Sequence, residues 1–221
     1  PMRRGSDGGN PDRHGYLRWR PVEADTPLRK EHWFWHPSDE SSLKSLPELI
    51  STYEQTVGRG GQLVLGVAPD RRGLLPDADV QRLNEFGATL HQRYGNNLVA
   101  RHVKSNAEEE LALDGNPDTF WSAPAGSHHA VLEVSFDKPI TFDHALTMEW
   151  LNAGQHVQKY SVDVYRNGKW NEVVRGHAIG HKKIDAFAPV TASRVRLNIL
   201  SSSAEAHIRE FQLFNVAGVA K

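Results

Sequence analysis

Apolar residues recur along this chain in two rhythms. In SSLKSLPELISTYEQTVG, Leu43, Leu46, Leu49, Ile50 and Tyr53 fall at helical spacing and predict a helix. Asp39 or Ser41 is its expected cap, Pro47 belongs to its first turn, and Gly58 ends it. GQLVLGVAP, between Gly61 and Pro69, is a short apolar run with the length and flanks of a buried strand. PDADVQRLNEFGATLHQRYGN predicts a second helix, with Asp77 as cap and Gly95 as stop. Val80, Leu83, Phe86 and Leu90 form its apolar face. Helix, buried strand, loop, helix is one turn of an α/β barrel or doubly wound sheet. One such unit cannot close a barrel.

From residue 98 the rhythm shortens. HAVLEVSF, ALTMEWL, QKYSVDVYRNGKWNEVV, SRVRLNIL and HIREFQLFNV alternate with turn residues between them. Asn167-Gly168 between YSVDVYR and KWNEVV is a strong hairpin signal. About eight strands and no helix predict an antiparallel β-sandwich. The expected division is therefore an α/β part over residues 1–97 and an all-β part over 98–221.

Composition narrows the function classes. The chain is 38% hydrophobic and 24% charged, which suits a packed globular protein. A net charge of −1 gives no reason to expect a nucleic-acid partner. No Cys is present, which excludes disulfides, thiolate chemistry and Cys-based zinc sites. No apolar run reaches the length of a membrane span, and PMRRGSDGGNPDRHG has no signal-peptide core.

The least ordinary stretch is YLRWRPVEADTPLRKEHWFWH. It sets one acid, Glu23, between Trp19 and the group Trp33, Phe34, Trp35. Taken by spacing, Glu23 is either a solvated loop acid or a carboxyl held among aromatic walls. Each aromatic is either core or ligand contact. Arg18 and Arg20 flank this stretch, and the basic groups LRK and RRG are ordinary solvated charges.

ALDGNPDTFWSA, YSVDVYRNGKWNEV, APVTASRVRLNIL and HIREFQLF, in that order, resemble the discoidin-like, coagulation factor 5/8 type C domain, also carbohydrate-binding module family 32. The resemblance implies a jelly-roll sandwich, Trp121 in its core, and a structural calcium near DGNPDT. Asp114, Asn116, Thr119 and Glu210 stand at the matching positions, and their oxygens suit a hard cation. The plainer reading of DGNPDT is a turn whose Asp and Asn bond their own backbone.

WRPVEADTPLRKEHWFW and YEQTVGRGGQLVLGVAPDRRGLLP resemble two late segments of the catalytic domain of glycoside hydrolase family 29, the α-L-fucosidases. Thr56 stands where that family often has Ser, and Gly66 where it often has Asn. The resemblance implies part of a (β/α)8 barrel in a retaining exo-α-L-fucosidase acting on terminal α-1,3- or α-1,4-linked fucose. Glu23 maps to the general acid/base, with Trp19, Trp33 and Trp35 against the sugar. No cofactor is implied for catalysis. The nucleophile, an Asp on an earlier strand, has no match among the 22 residues before Glu23. The expectation is therefore a fucosylated glycan as substrate, a companion N-terminal barrel half in the same or another chain, and an inactive chain by itself. The family implies a periplasmic or secreted location. The competing reading is a carbohydrate-binding or bracing sandwich with a vestigial barrel remnant.

Overall fold

The computed structural model describes residues 22–101, 103–104 and 107–218. At the front, β1 (Glu23–Pro27), α1 (Leu46–Thr56) and β2 (Gln62–Gly66) form a β-α-β unit. The strands pair in parallel, from Glu23 opposite Gln62 to Pro27 opposite Gly66. A second helix, α2 (Asp77–Tyr94), follows. The strand-loop-helix order read from the pattern is thus present, with β1 as an added strand.

The caps differ from expectation. Ser45 caps α1 in a reciprocal box with Glu48, and Pro47 lies in the first turn. This arrangement satisfies two orphan donors at once, whereas neither Asp39 nor Ser41 caps it. Gly58 does not end the helix in a left-handed turn. Gly60 does, at φ 87°, while Gly58 sits against Ile184, where an added Cβ would lie 3.2 Å from the Ile184 Cβ. Pro76, not Asp77, holds the N-cap position of α2, without a side-chain cap. Val80 is exposed and Asp79 buried. The inward face of this helix therefore includes Asp79, whose carboxylate takes the Arg29 guanidinium at 2.6 Å.

The second half is a β-sandwich. β3 (Val103–Lys104), the short helix α3 (Ala107–Glu110) and β4 (Trp121–Ser122) lead into β5 (Ala130–Glu149). β6 (Val157–Arg166), β7 (Lys169–Gly176), β8 (Lys183–Ser202) and β9 (His207–Phe214) follow. They form one antiparallel sheet in the order β4-β9-β5-β8-β6-β7, with β3 beside β5. HAVLEVSF and ALTMEWL, read as separate runs, are one strand. Register shifts between Ser135 and Ile140 and between Phe142 and His144 let it turn from one layer into the other. β8 makes the same passage opposite it. The early half of β5 and late half of β8 lie with β6 and β7; the other halves lie with β9. Leu132, Val134, Phe142, Tyr160, Val162, Leu197, Ile208 and Phe211 are buried between the layers. Trp121 belongs to this core, as the sequence suggests.

A smaller apolar seam joins the two halves. Leu146, Ile184, Phe214 and Val216 of the sandwich pack with Tyr53 of α1 and Tyr94 of α2. Tyr94 meets Phe214 edge-on at 5.4 Å, and its hydroxyl donates to Glu54. Among the described residues, no helix is long and apolar enough to cross a membrane.

Candidate functional site

Two places carry the residues singled out by sequence. The first is the β1–β2 pair. After Pro27 the chain turns through residues 28–44 and returns, with Lys30 N–H donating to Ser42 and Lys44 N–H to Leu28. The buried Arg29–Asp79 pair pins the root of this excursion to α2. Its tip carries the aromatics. The Trp33 ring lies over Gly66, where a methyl in place of hydrogen would fall 3.1 Å from Cζ3. Trp33 is 52% exposed and Phe34 80%. Trp35 is half-buried, with the Arg71 guanidinium 5.9 Å from its ring centroid. The His32 and His36 rings lie 4.1 Å apart, tilted by 37°, and His32 Nδ1 lies 3.2 Å from Asp39. This is an open aromatic surface at the C-terminal ends of both strands.

Glu23 is elsewhere. It is the first residue of β1, exposed, and opposite Gln62. Trp33 lies at the other end of the pair, about 13 Å along four residues of strand. The expected wall of Trp33 around Glu23 is thus not formed, because the strand separates them. Trp19 lies outside the described residues, as do Arg18 and Arg20.

Arg71, read as a solvated charge, faces Trp35 instead. The signal for it was available. The PDRRG loop leaves the C-terminal end of β2, the end to which the chain also brings the aromatics.

The second place is the DGNPDT loop. Asp114 Oδ1 accepts from the Asn116 amide at 2.8 Å, and Asp114 also accepts the Thr119 hydroxyl at 2.9 Å. Asn116 Oδ1 accepts from the Asp118 amide, and Gly115 has φ 73°. These are the self-bonded Asp and Asn of the turn reading. Yet Glu210 adds something a turn does not need. It is buried, and its Oε1 has no hydrogen-bond partner. Burial, with the like charge of Asp114 contributing, pushes its carboxyl up to about 7, while Gln212 and the Gly115 amide favour the charged form. Two acids facing one another beside a carbonyl, an amide oxygen and a hydroxyl form an oxygen donor set that fits calcium. The resemblance is what points to Glu210 beside Asp114; spacing alone does not, since Glu210 is ninety-odd residues from the loop.

A buried carboxylate was missed altogether. Glu149 accepts the amides of His156 and Val157 at 2.9 Å and of Gly180 at 2.7 Å. It ties the connection from β5 to β6 to the one from β7 to β8. A single Glu in an alternating run gives no signal of this.

The chain matches known proteins along almost all of its length. Residues 97–211 match the F5/8 type C domain model, and residues 5–96 the alpha-L-fucosidase model. Alpha-L-fucosidase 1 of Arabidopsis thaliana is 27% identical over 188 residues, covering 80% of this chain and 37% of that protein. The crystal structure of a Bacteroides thetaiotaomicron protein assigned to the alpha-L-fucosidases is 30% identical, with a TM-score of 0.83. It covers 96% of this chain and 48% of its own. The crystal structure of SpGH29 is also 30% identical, with a TM-score of 0.80, covering 91% of this chain and 45% of its own. The chain spans less than half the length of each of these relatives.

Proposed function

The chain belongs to the F5/8 type C domain family over residues 97–211, and from that and the match of residues 5–96 to the alpha-L-fucosidase model we propose that it forms the rear of a retaining α-L-fucosidase. Its β-α-β-α front supplies two strands of a (β/α)8 barrel, and the sandwich braces them. The substrate is terminal α-L-fucose, in α-1,3 or α-1,4 linkage on a glycan. The observation that carries this is the parallel β1–β2 pair with aromatics gathered at its C-terminal ends. In barrel enzymes that end bears the chemistry. Trp33 and Trp35 there offer flat faces to sugar C–H groups and to the fucose methyl.

A retaining glycosidase needs two carboxyl groups about 5–5.5 Å apart, one attacking the anomeric carbon and one exchanging protons with the leaving oxygen and water. The position of Glu23 at the start of β1 speaks against the acid/base role that sequence matching gave it. This chain's part is then the sugar-facing wall, and the carboxyl pair comes from the barrel half outside it. For the sandwich we propose a structural calcium on Asp114, Asn116, Thr119 and Glu210. The orphaned Glu210 Oε1 supports it.

The test is an assay of the protein at its native length on 4-nitrophenyl α-L-fucoside and on an α-1,3/4-fucosylated oligosaccharide, beside residues 1–221 alone. Hydrolysis by the first and none by the second is expected. Fucose release by residues 1–221 at a comparable rate would overturn the division of labour. No hydrolysis by either would turn the reading to glycan binding by the sandwich.

A further inference from the structure

Where the apolar seam between the halves ends, a guanidinium, an ammonium and an imidazole meet. On β5, Thr147 pairs with Lys183 of β8, so Lys182 comes opposite Met148. On the other side, Met148 pairs with Glu210 and Glu149 with Ile208, which leaves Arg209 as the extra residue of a bulge. Strand pairing thus brings His181, Lys182 and Arg209 around Met148. The corner is fixed. Gly180 N–H donates to Glu149 and its carbonyl accepts from Glu149 N–H. Gly60 of the front unit packs on the backbone here, its Cβ position 3.5 Å from the Lys182 carbonyl oxygen.

None of these three residues makes a described ion pair. Arg209 Nη2 lies against the Met148 sulfur at 2.9 Å, a weak acceptor, and its buried Nε has no partner. Burial lowers the affinity of His181 and Lys182 for their protons, and Arg209 lowers it further. Of the acids nearby, Glu210 feels the Arg209 charge but makes no described ion pair with it, taking Gln212 on Oε2 beside the Gly115 amide and Asp114. Asp185 takes the Tyr160 hydroxyl beside Lys183 and Arg59. Glu149 is filled by three amides. Lys182 and Arg209, partly buried cations that repel one another, with an orphaned guanidinium N–H on Arg209, are costly unless an anion sits with them. An Arg fork beside an ammonium suits a planar or tetrahedral oxyanion.

We propose that His181, Lys182 and Arg209 form an oxyanion seat at the seam between sandwich and β/α unit, taking a carboxylate or sulfate group. The oxyanion is free in solution or carried on a side chain of the barrel half outside this chain; the second source rests on the fucosidase reading, the seat does not.

The probe is inorganic sulfate, titrated into residues 1–221 at fixed ionic strength against chloride, with the Arg209 Nε–H resonance and thermal unfolding as readouts. Saturable movement of that resonance and a rise in Tm of about 2–4 °C are expected with sulfate and not with chloride. Lys182→Gln is expected to raise the sulfate Kd at least about tenfold, while the exposed Lys30→Gln leaves it unchanged. A response that fails to saturate, equals that of chloride, or survives Lys182→Gln overturns the proposal. Repeating the titration on the native-length protein separates the sources: silence there assigns the seat to an internal carboxylate, and an unchanged response to a free anion. Fucosidase activity enters neither readout, so failure of the seat and failure of the fucosidase reading are separate results.

Discussion

The two halves of the chain bury themselves to different degrees. The sandwich closes on its own. Leu132, Val134, Phe142, Tyr160, Leu197, Ile208 and Phe211 have no measurable exposure. Among the described residues of the front unit, Leu28, Leu49 and Ile50 are the buried apolar ones, while Val22 is 51% and Val64 39% exposed. Parallel strands are normally covered on both faces. Among the described residues, the β1–β2 pair has α1 beside it and no third strand, so it resembles a slice through a larger core. The difference teaches where each half draws its stability. The sandwich relies on its own interior, and the front unit relies on a buried ion pair and on leaning against β5, β8 and β9.

The sharpest way to break this comparison is to cut each half at its strongest point. Asp79→Ala leaves the Arg29 guanidinium buried and unpaired, and a loss of about 3–5 kcal/mol from the front unit is expected. Phe211→Ala opens the sandwich core and is expected to cost about 3–5 kcal/mol. Urea unfolding followed separately by Trp33 and Trp121 fluorescence in single-Trp backgrounds checks both. Equal loss of both signals in either variant would mean the halves unfold as one.

Next in size are the effects on catalysis in the native-length protein. Trp33→Ala is expected to raise KM about tenfold, the value of one lost sugar face. Glu23→Gln is expected to change kcat less than about threefold. A drop of about 10²–10⁴ in kcat would restore the acid/base role to Glu23.

Smaller is the response to pH and calcium. The Glu210 carboxyl titrates higher in the folded chain, about 7 against 4.5. The folded state therefore holds the extra proton between these values. Without metal, stability falls as pH rises from about 4.5 through 7. Calcium is expected to abolish that slope, since it binds the charged form, and Glu210→Gln to flatten it with or without calcium. Thermal unfolding at pH 5 and pH 8, with calcium or with chelator, measures it. Smallest is Val64→Ala, expected to change the stability of residues 1–221 by less than about 0.5 kcal/mol because its side chain is already open to water.

Much of the fold was legible, for physical reasons that also mark where reading failed. The hairpin at Asn167-Gly168 came true because both residues take positive φ, 54° and 78°, which few pairs tolerate. Alternation marked the sandwich strands but cut β5 in two at Asp137-Lys138-Pro139. A strand that bends between layers is polar at its bend. Helix α2 was placed correctly and its face slightly misread, because a buried Asp79 looks like a surface acid until Arg29 is known to reach it. The candidate site was half legible. The resemblance named Asp114, Asn116, Thr119 and Glu210 together across the chain, and the structure sets Glu210 beside Asp114 and Gly115. Proximity in sequence suggested that Glu23 and Trp33 share a pocket, and a strand between them carries them apart.

β5 and β8 each cross from one layer to the other. The layers therefore share their hydrogen-bonded ladder, and neither can peel away without tearing strands that the other still holds. Pulled at residues 98 and 218, such a body has no soft plane to yield along. It resists as a single sheet folded over on itself, and gives way only when the shared strands part together.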